Sequence, residues 1–419
     1  VNELAHKMGM DPVKVKEMNM PVEGGPLPGY PDVPYAQSCS MDRCMARAKE
    51  MMDWDSKYPC RDMGNGKVRG VGVAMAMQGS SIAGVDVGGA DIKLNEDGSY
   101  TLALGCTDMG TGCDTVMAQI AADCLNTPMD NIVVFSVDTD ISPYDSGSYA
   151  SATTYTTGVA VMKACEELKK KICKLGAEMM EVDEGKVDFD GSCVFYDETL
   201  EISDGADGNA AGHMTDAEEG YSVDMDAISS ENAQKKVSLK DIALKSTFFN
   251  NIELQVVKQH SSPISPPPFM VGMAEETGSV DVLDYVAVVD CGTPINPNLA
   301  RVQTEGGIAQ GIGMALWEDV QYTDKGKIRN NSFMQYKIPT RQDIGNIRVD
   351  FECSYEKSGP FGAKSIGELV IDTPCPALAE AIYNATGVRL TELPMTPEKI
   401  AMEILKNRES TRSGTKVEE

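Results

Sequence analysis

Histidine is nearly missing from this chain: 419 residues hold three, His6, His213 and His260. That is too few for a histidine-rich metal centre, and it leaves a Ser-His-Asp hydrolase little to work with. The twelve cysteines are scattered and form no CxxC pair, so no zinc ribbon or ferredoxin-type cluster module is present. Several of them, such as Cys124 and Cys165, lie inside apolar helical patterns and read as buried, reduced thiols of a cytosolic protein. Positive charge is also in deficit, with a formal net charge of −27. A chain this acidic repels polyanions, which argues against nucleic acid and anionic membrane surfaces as partners. No segment has the roughly 18 uninterrupted apolar residues of a membrane span. There is no Walker A motif, and no GxGxxG heads a βαβ unit, so ATP and NAD are not the natural ligands.

What remains is an ordinary globular composition, 42% hydrophobic and 24% charged. The length allows two or three domain-sized units. The opening "VNELAHKMGMDPVKVKEMNM" has no Met at its start and no charged-then-apolar leader pattern. It predicts two short helices, then a linker through "PVEGGPLPGYPDVP". Residues 38–56 predict a helix. "VRGVGVAMAMQGSS" predicts a small-residue strand whose backbone something approaches closely. "ADIKLNEDGSYTLALG" predicts a hairpin turning at Asp97-Gly98. "CDTVMAQIAADCL" reads as a helix and "NIVVFSVDT" as a strand. "TTGVAVMKACEELKKKICKLG" predicts a helix closed by its lysines and glycine. Residues 181–235 carry much of the acidity and read as a peripheral insertion. Later, "SVDVLDYVAVVDCG" predicts a strand pair, and "RVQTEGGIAQGIGMALWEDV" a helix followed by a strand. "CPALAEAIYNATG" reads as a helix closed by Gly387, and "TPEKIAMEIL" as a short terminal helix. The alternation is irregular and fits an α+β (mixed α/β) chain with two subdomains better than a doubly wound sheet.

Four segments rich in Gly, Ser and Thr stand out: "GCTDMGTGCDT", "SPYDSGSYASATTYTTG", "QTEGGIAQGIG" and "GAKSIGE". Each is expected to join a strand to a helix or to lie near a helix start. Such places offer free backbone N–H groups, a natural cradle for phosphate. Four of them point to a large anionic cofactor held at several places.

The same segments carry a family resemblance. "GCTDMGTGCDT", "SGSYASATTYTTG", "VDCGTPINPNLARVQTEGGIAQGIG", "YKIPTRQDI" and "GAKSIGE" follow the motif order of the molybdenum-binding subunit of the xanthine dehydrogenase family of molybdenum hydroxylases. The bacterial purine or xanthine dehydrogenase-like branch is the nearest in kind, and the resemblance runs from about Val1 to Ile404. It implies an aldehyde oxidase/xanthine dehydrogenase-type molybdopterin-binding domain. In that family the metal is held by the pterin dithiolene, so no side-chain metal ligand is expected. Glu368 matches the active-site glutamate, which acts as base in placing a water-derived oxygen on a ring carbon beside a nitrogen. The plain alternative for Glu368 is a helix-cap or salt-bridge carboxylate.

By the same resemblance Gly110, Thr111, Gly112, Ala150, Ser151, Ala152, Thr153, Thr154, Gln303 and Gly367 would hold the cofactor. Thr111 stands where most members carry Gln. Ser80 and Ser81 would line the substrate pocket, or else supply ordinary strand polarity. The resemblance implies molybdopterin with molybdenum, as the cytosine dinucleotide, with 2Fe-2S clusters and FAD on partner subunits. It also implies a cytoplasmic complex and a purine or similar N-heterocycle as substrate, with nicotinate or an aldehyde as substrate, or a non-catalytic cofactor scaffold, as the alternatives. The family's first molybdenum-binding domain is absent from this sequence, so the expectation is a fragment or one half of a split subunit. The expected domains are 1–35 (closing helices of that upstream domain plus linker), 36–255 (first subdomain, with the 181–235 insertion) and 256–419 (second subdomain, with Glu368).

Overall fold

In a computed structural model of the chain, the residues described are 1–27, 34–64, 66–200, 235–249, 253–277 and 281–413. Most of the acidic insertion lies outside them, as do residues 278–280.

The first half supplies α1 (Asn2–Lys7), α2 (Pro12–Glu17), α3 (Met41–Met52), α4 (Trp54–Lys57), β1 (Cys60–Gly64) and β2 (Lys67–Met77). It continues with β3 (Gly88–Leu94), β4 (Tyr100–Leu104), α5 (Cys113–Leu125), β5 (Ile132–Ser136) and α6 (Gly158–Met180). Three short strands follow, β6 (Val187–Phe189), β7 (Cys193–Tyr196) and β8 (Lys236–Ser238), with α7 (Leu239–Phe248) and β9 (Gln255–His260). The remainder is β10 (Phe269–Thr277), β11 (Asp281–Asp290), α8 (Pro297–Leu316), β12 (Asn346–Phe351), α9 (Leu369–Asp372), α10 (Pro374–Thr386) and α11 (Pro397–Ser413).

The largest sheet has the order β1-β2-β10-β11-β12 and is antiparallel except for the parallel pair β11–β12. Helix α8 makes the crossover that a parallel pair requires. Both faces of this sheet are covered. Tyr285, Ala287 and Val289 face α8 and α10, while Val286 and Val288 face α3. Burial on both sides makes "DYVAVVD" a continuous apolar run. It forms one ten-residue strand, not the expected strand pair.

The tight strand expected at 67–77 is β2, and α10 is what approaches it. A Cβ on Gly72 would stand 2.1 Å from the Ala377 carbonyl oxygen. The amino-terminal helices also dock here. Asn2 Nδ2 donates to the Val73 carbonyl at 3.1 Å, and His6 Nε2 pairs with the buried Glu380 of α10.

The second sheet, β5-β4-β3-β9, turns at the predicted Asp97-Gly98 hairpin, with Gly98 at φ 91°. Its alternation is plain: Tyr100, Leu102 and Leu104 point into a core shared with α5 and α6. A third sheet, β6-β7-β8, leans on α6. Helix α6 runs through Gly176 to Met180, past the end expected at "KLG". Gly176 is there because β7 presses on it: a Cβ would meet Val194 at 2.7 Å. The strand expected after α8 does not form, and Tyr322 bridges only Ile328 across a turn.

The five-stranded sheet cuts across the domain boundary expected at 256. Residues 60–77 belong to the same sheet as 269–351, and residues 88–260 form a body of their own between them. Long-range strand pairing, invisible in local pattern, sets the division.

Candidate active site

Four chain segments meet at one pocket between the two bodies: 105–113, 142–154, 291–303 and 359–368. Each precedes or opens a helix, and the first turns of α5 and α8 and the π-turn before α6 (Thr153–Thr157) contribute to the lining. The first N–H groups of a helix lack intrahelical partners and carry partial positive charge.

The "GAKSIGE" segment is the most firmly placed. Lys364 and Asp290 form an ion pair at 3.0 Å with both side chains fully buried. The pair is well satisfied. Asp290 accepts from Ser40 N (2.8 Å), Gly292 N (3.0 Å) and Ser354 Oγ (2.8 and 2.9 Å). Lys364 Nζ also donates to the Ser38 carbonyl and to Ser354 Oγ, and it lies 4.9 Å from the Phe269 ring centroid. Backbone bonds lock the segment further: Lys364 N to the Cys291 carbonyl at 2.8 Å and Thr293 N to the Gly362 carbonyl at 2.9 Å. At its end Glu368, the residue before α9, is exposed toward the pocket. Its N–H donates to Ser151 Oγ at 2.9 Å, and Ser151 Oγ donates to Glu368 Oε2 at 3.2 Å. Gln78 Nε2 donates to the same oxygen. Downstream, burial and the charge of Glu368 raise the Asp372 carboxyl above its ordinary value.

Of the residues expected from sequence, Thr111, Ser151, Thr153, Thr154, Gln303, Gly367 and Glu368 line this pocket, and Gly110 lines its continuation along α8. Gln303 Nε2 donates to the Gly367 carbonyl at 3.2 Å, tying α8 to the glutamate loop. Gly367 leaves room for Ser151, since a Cβ there would stand 3.1 Å from its hydroxyl. Ala150 and Ser151 both adopt left-handed backbone, φ 49° and 55°. That strain is characteristic of a functional loop in a non-glycine pair.

Other expectations shift. Ala152 is buried, and the Ala150 carbonyl accepts from Ser81 N at 3.0 Å, so both alanines shape the loop rather than line the pocket. The N–H groups of Gly110 and Gly112 already bond to Asp108 Oδ1, at 2.8 and 3.1 Å. Burial works against the Asp108 anion, but the N–H groups of Gly110, Gly112, Asp114 and Thr111 outweigh it and hold the carboxyl below its ordinary value. Gly112 is the residue before α5 and packs against Leu299. Ser80 and Ser81 are not among the residues that line this pocket. Ser80 is fully buried and its hydroxyl accepts Ser365 N at 3.0 Å, while the Ser81 carbonyl accepts Ser265 Oγ at 2.6 Å. Ser80 braces the glutamate loop, and Ser81 braces the loop at Ala150. The segment "QTEGGIAQGIG" is the interior of α8, not a loop. Gly307 sits where the helix passes Val370, and Gly306 and Gln310 face the pocket.

Sequence reasoning missed Gln78, Asp108, Asn296 and the Lys364–Asp290 pair. Asn296 caps α8 through Leu299 N at 3.1 Å and holds Gln119 at 3.0 Å. Only the Asn-Pro that opens α8 signalled such a cap.

The pocket is rich in hydroxyl, amide and helix-start N–H groups. Its charged side chains are Glu368 and the already paired Lys364. Such a donor set fits a phosphate-bearing heterocycle held by neutral donors. A family model of the molybdopterin cofactor-binding domain matches residues 47–345, and the chain belongs to that family. It is akin to molybdenum-binding subunits of the xanthine dehydrogenase family. It is 32% identical to the "Probable hypoxanthine oxidase XdhD" of Escherichia coli (strain K12), over 95% of this chain and 39% of that protein. Identity to the xanthine dehydrogenase molybdenum-binding subunit of Escherichia coli O157:H7 is 28%, over 96% of this chain and 50% of that one. The aldehyde oxidoreductase molybdenum-binding subunit PaoC of Escherichia coli (strain K12) is also 28% identical, over 96% and 49%. The chain thus spans two fifths to one half of these relatives. In fold it resembles quinoline 2-oxidoreductase from Pseudomonas putida 86, with a TM-score of 0.79, 21% identity, and coverage of 97% of this chain and 51% of that one.

Proposed function

We propose that this chain is the glutamate-bearing half of a molybdenum hydroxylase that oxidises a purine such as hypoxanthine or xanthine. The observation that carries the proposal is Glu368, held by Ser151 and Gln78 at a pocket rich in hydroxyl and helix-start donors. Thr111, Ser151, Thr153, Thr154 and Gln303 would hold the molybdopterin, in its cytosine dinucleotide form. When bound, that cofactor supplies the two-electron redox centre.

Overall, the substrate C–H and one water become C–OH, two protons and two electrons. Glu368 takes up one proton at its carboxylate, and α8 with the loops around it orients the ring and limits water. The electrons leave through partner subunits carrying 2Fe-2S clusters and FAD. A further partner carries the remaining half of the pocket. We place the complex in the cytoplasm. An aldehyde or nicotinate substrate is the second reading; the aldehyde is favoured by an identity to an aldehyde oxidoreductase subunit, 28%, that equals the identity to the xanthine dehydrogenase subunit.

The test is Glu368→Gln in the complex purified with its partners. Turnover of hypoxanthine and xanthine is expected to fall about a thousandfold or more, with molybdenum content unchanged. Turnover at the wild-type rate overturns the assignment. Wild-type complex that oxidises aldehydes but neither purine moves the substrate to the second reading.

A further inference from the structure

Glu368 has two carboxylate oxygens, and its surroundings treat them unequally. Oε2 receives donors from Gln78 Nε2 and from Ser151 Oγ, the latter at 3.2 Å. Among the described residues no donor reaches Oε1. The Ser151 hydroxyl also accepts the N–H of Glu368 at 2.9 Å, so one side chain grips both the backbone and the carboxylate of a single residue.

The two donors come from opposite bodies of the molecule. Gln78 follows the last residue of β2, in the five-stranded sheet, while Ser151 sits on the loop before α6. The Gln78 amide is committed to this contact, because its Oε1 is buried without a hydrogen-bond partner. Turned over, the amide would set a carbonyl oxygen against the carboxylate, so the observed orientation is the one that binds. A buried acceptor left unsatisfied and two successive residues in left-handed backbone are both unfavourable. Both serve the same contact, and Gly367 lacks the Cβ that would crowd it.

We propose that Gln78 and Ser151 are positioning residues. They clamp Oε2, fix the rotamer of Glu368, and leave Oε1 as the one oxygen that takes up the proton. This rests on the reading of Glu368 as the base, but the clamp can be tested without the cofactor.

The first experiment labels the full chain selectively with 15N-glutamine and follows the Gln78 side-chain amide, assigned by its disappearance in Gln78→Met. One of its two protons is expected downfield and slow to exchange, and Glu368→Ala should abolish both properties. Amide signals that do not respond to Glu368→Ala overturn the clamp, whatever the protein catalyses.

The second experiment uses the loaded complex. Gln78→Met keeps the side-chain length and removes the donor. Ser151→Gly removes the hydroxyl and suits the left-handed backbone, so it decides the question should Gln78→Met fail to fold. Each is expected to lower kcat about ten- to a hundredfold with KM little changed, the mark of a misplaced reacting group. Wild-type kcat in either folded variant overturns the positioning role. Normal turnover in Glu368→Gln sinks the base assignment alone, because the amide experiment still reports the contact.

Discussion

The two loops that face each other across the pocket are built on different principles. The wall at 359–368 is tied to the core through Lys364 and Asp290, both fully buried, and through backbone bonds to 291–293. The wall at 105–112 organises itself around one half-buried carboxylate, Asp108, which gathers the N–H groups beside it. A reacting carboxylate must be placed to within a fraction of an ångström, which calls for a rigid base. A cradle of N–H and hydroxyl groups can settle around its ligand instead.

The contrast can be broken most severely at Lys364. Lys364→Met leaves Asp290 charged and unpaired in the core, which costs about 3–5 kcal/mol. The urea midpoint should collapse, or the chain should fail to fold, and a midpoint near wild type would show that the pair does not anchor this wall. Next comes Gly72→Ala, which forces α10 away from β2 at a contact of 2.1 Å. We expect a loss of about 1–3 kcal/mol, read as a lower Tm, with the four-stranded body unaffected by hydrogen exchange.

Asp108→Ala should cost less than about 1 kcal/mol, since its N–H groups can turn to water. Molybdenum per chain should fall, however, which separates loss of the cradle from loss of the fold. The last effect is confined to acid pH. Burial, then the Lys163 ammonium, lowers His260 from 6.5 to about 4. The native state thus favours the neutral ring, and the unfolded chain binds the extra proton first. The contribution of His260 is complete above about pH 6.5 and is lost as pH falls toward 4. His260→Gln should flatten that slope in urea titrations at several pH values.

Much of this was legible in the sequence. Alternation at Tyr100, Leu102 and Leu104 marked a half-buried strand, Asp97-Gly98 marked its hairpin, and Gly387 closed α10 with φ 74°. The glycines of β2 announced a close neighbour without naming it. The glycines of α8 misled, because a glycine that admits a packed side chain looks the same in sequence as one that turns a loop. Motif order brought Glu368, Ser151 and Gln303 to one place. Gln78 gave no signal, being a lone amide after an apolar strand whose role depends on a partner 290 positions away. For Ser80 and Ser81 the sequence left pocket lining and ordinary strand polarity open, because their partners Ser365 and Ser265 lie far along the chain.

The sheet order β1-β2-β10-β11-β12 also bears on how the chain is made. During synthesis β2 emerges early, yet its neighbour β10 is still unmade while the whole of 88–260 passes. That intervening body has its own core and can condense first. Its folding draws Met77 and Phe269, which pair in the finished sheet, toward each other and shortens the loop that the outer sheet must close. The contact between Gln78 and Glu368 waits for the last third of the chain, after the scaffold beneath it has been made.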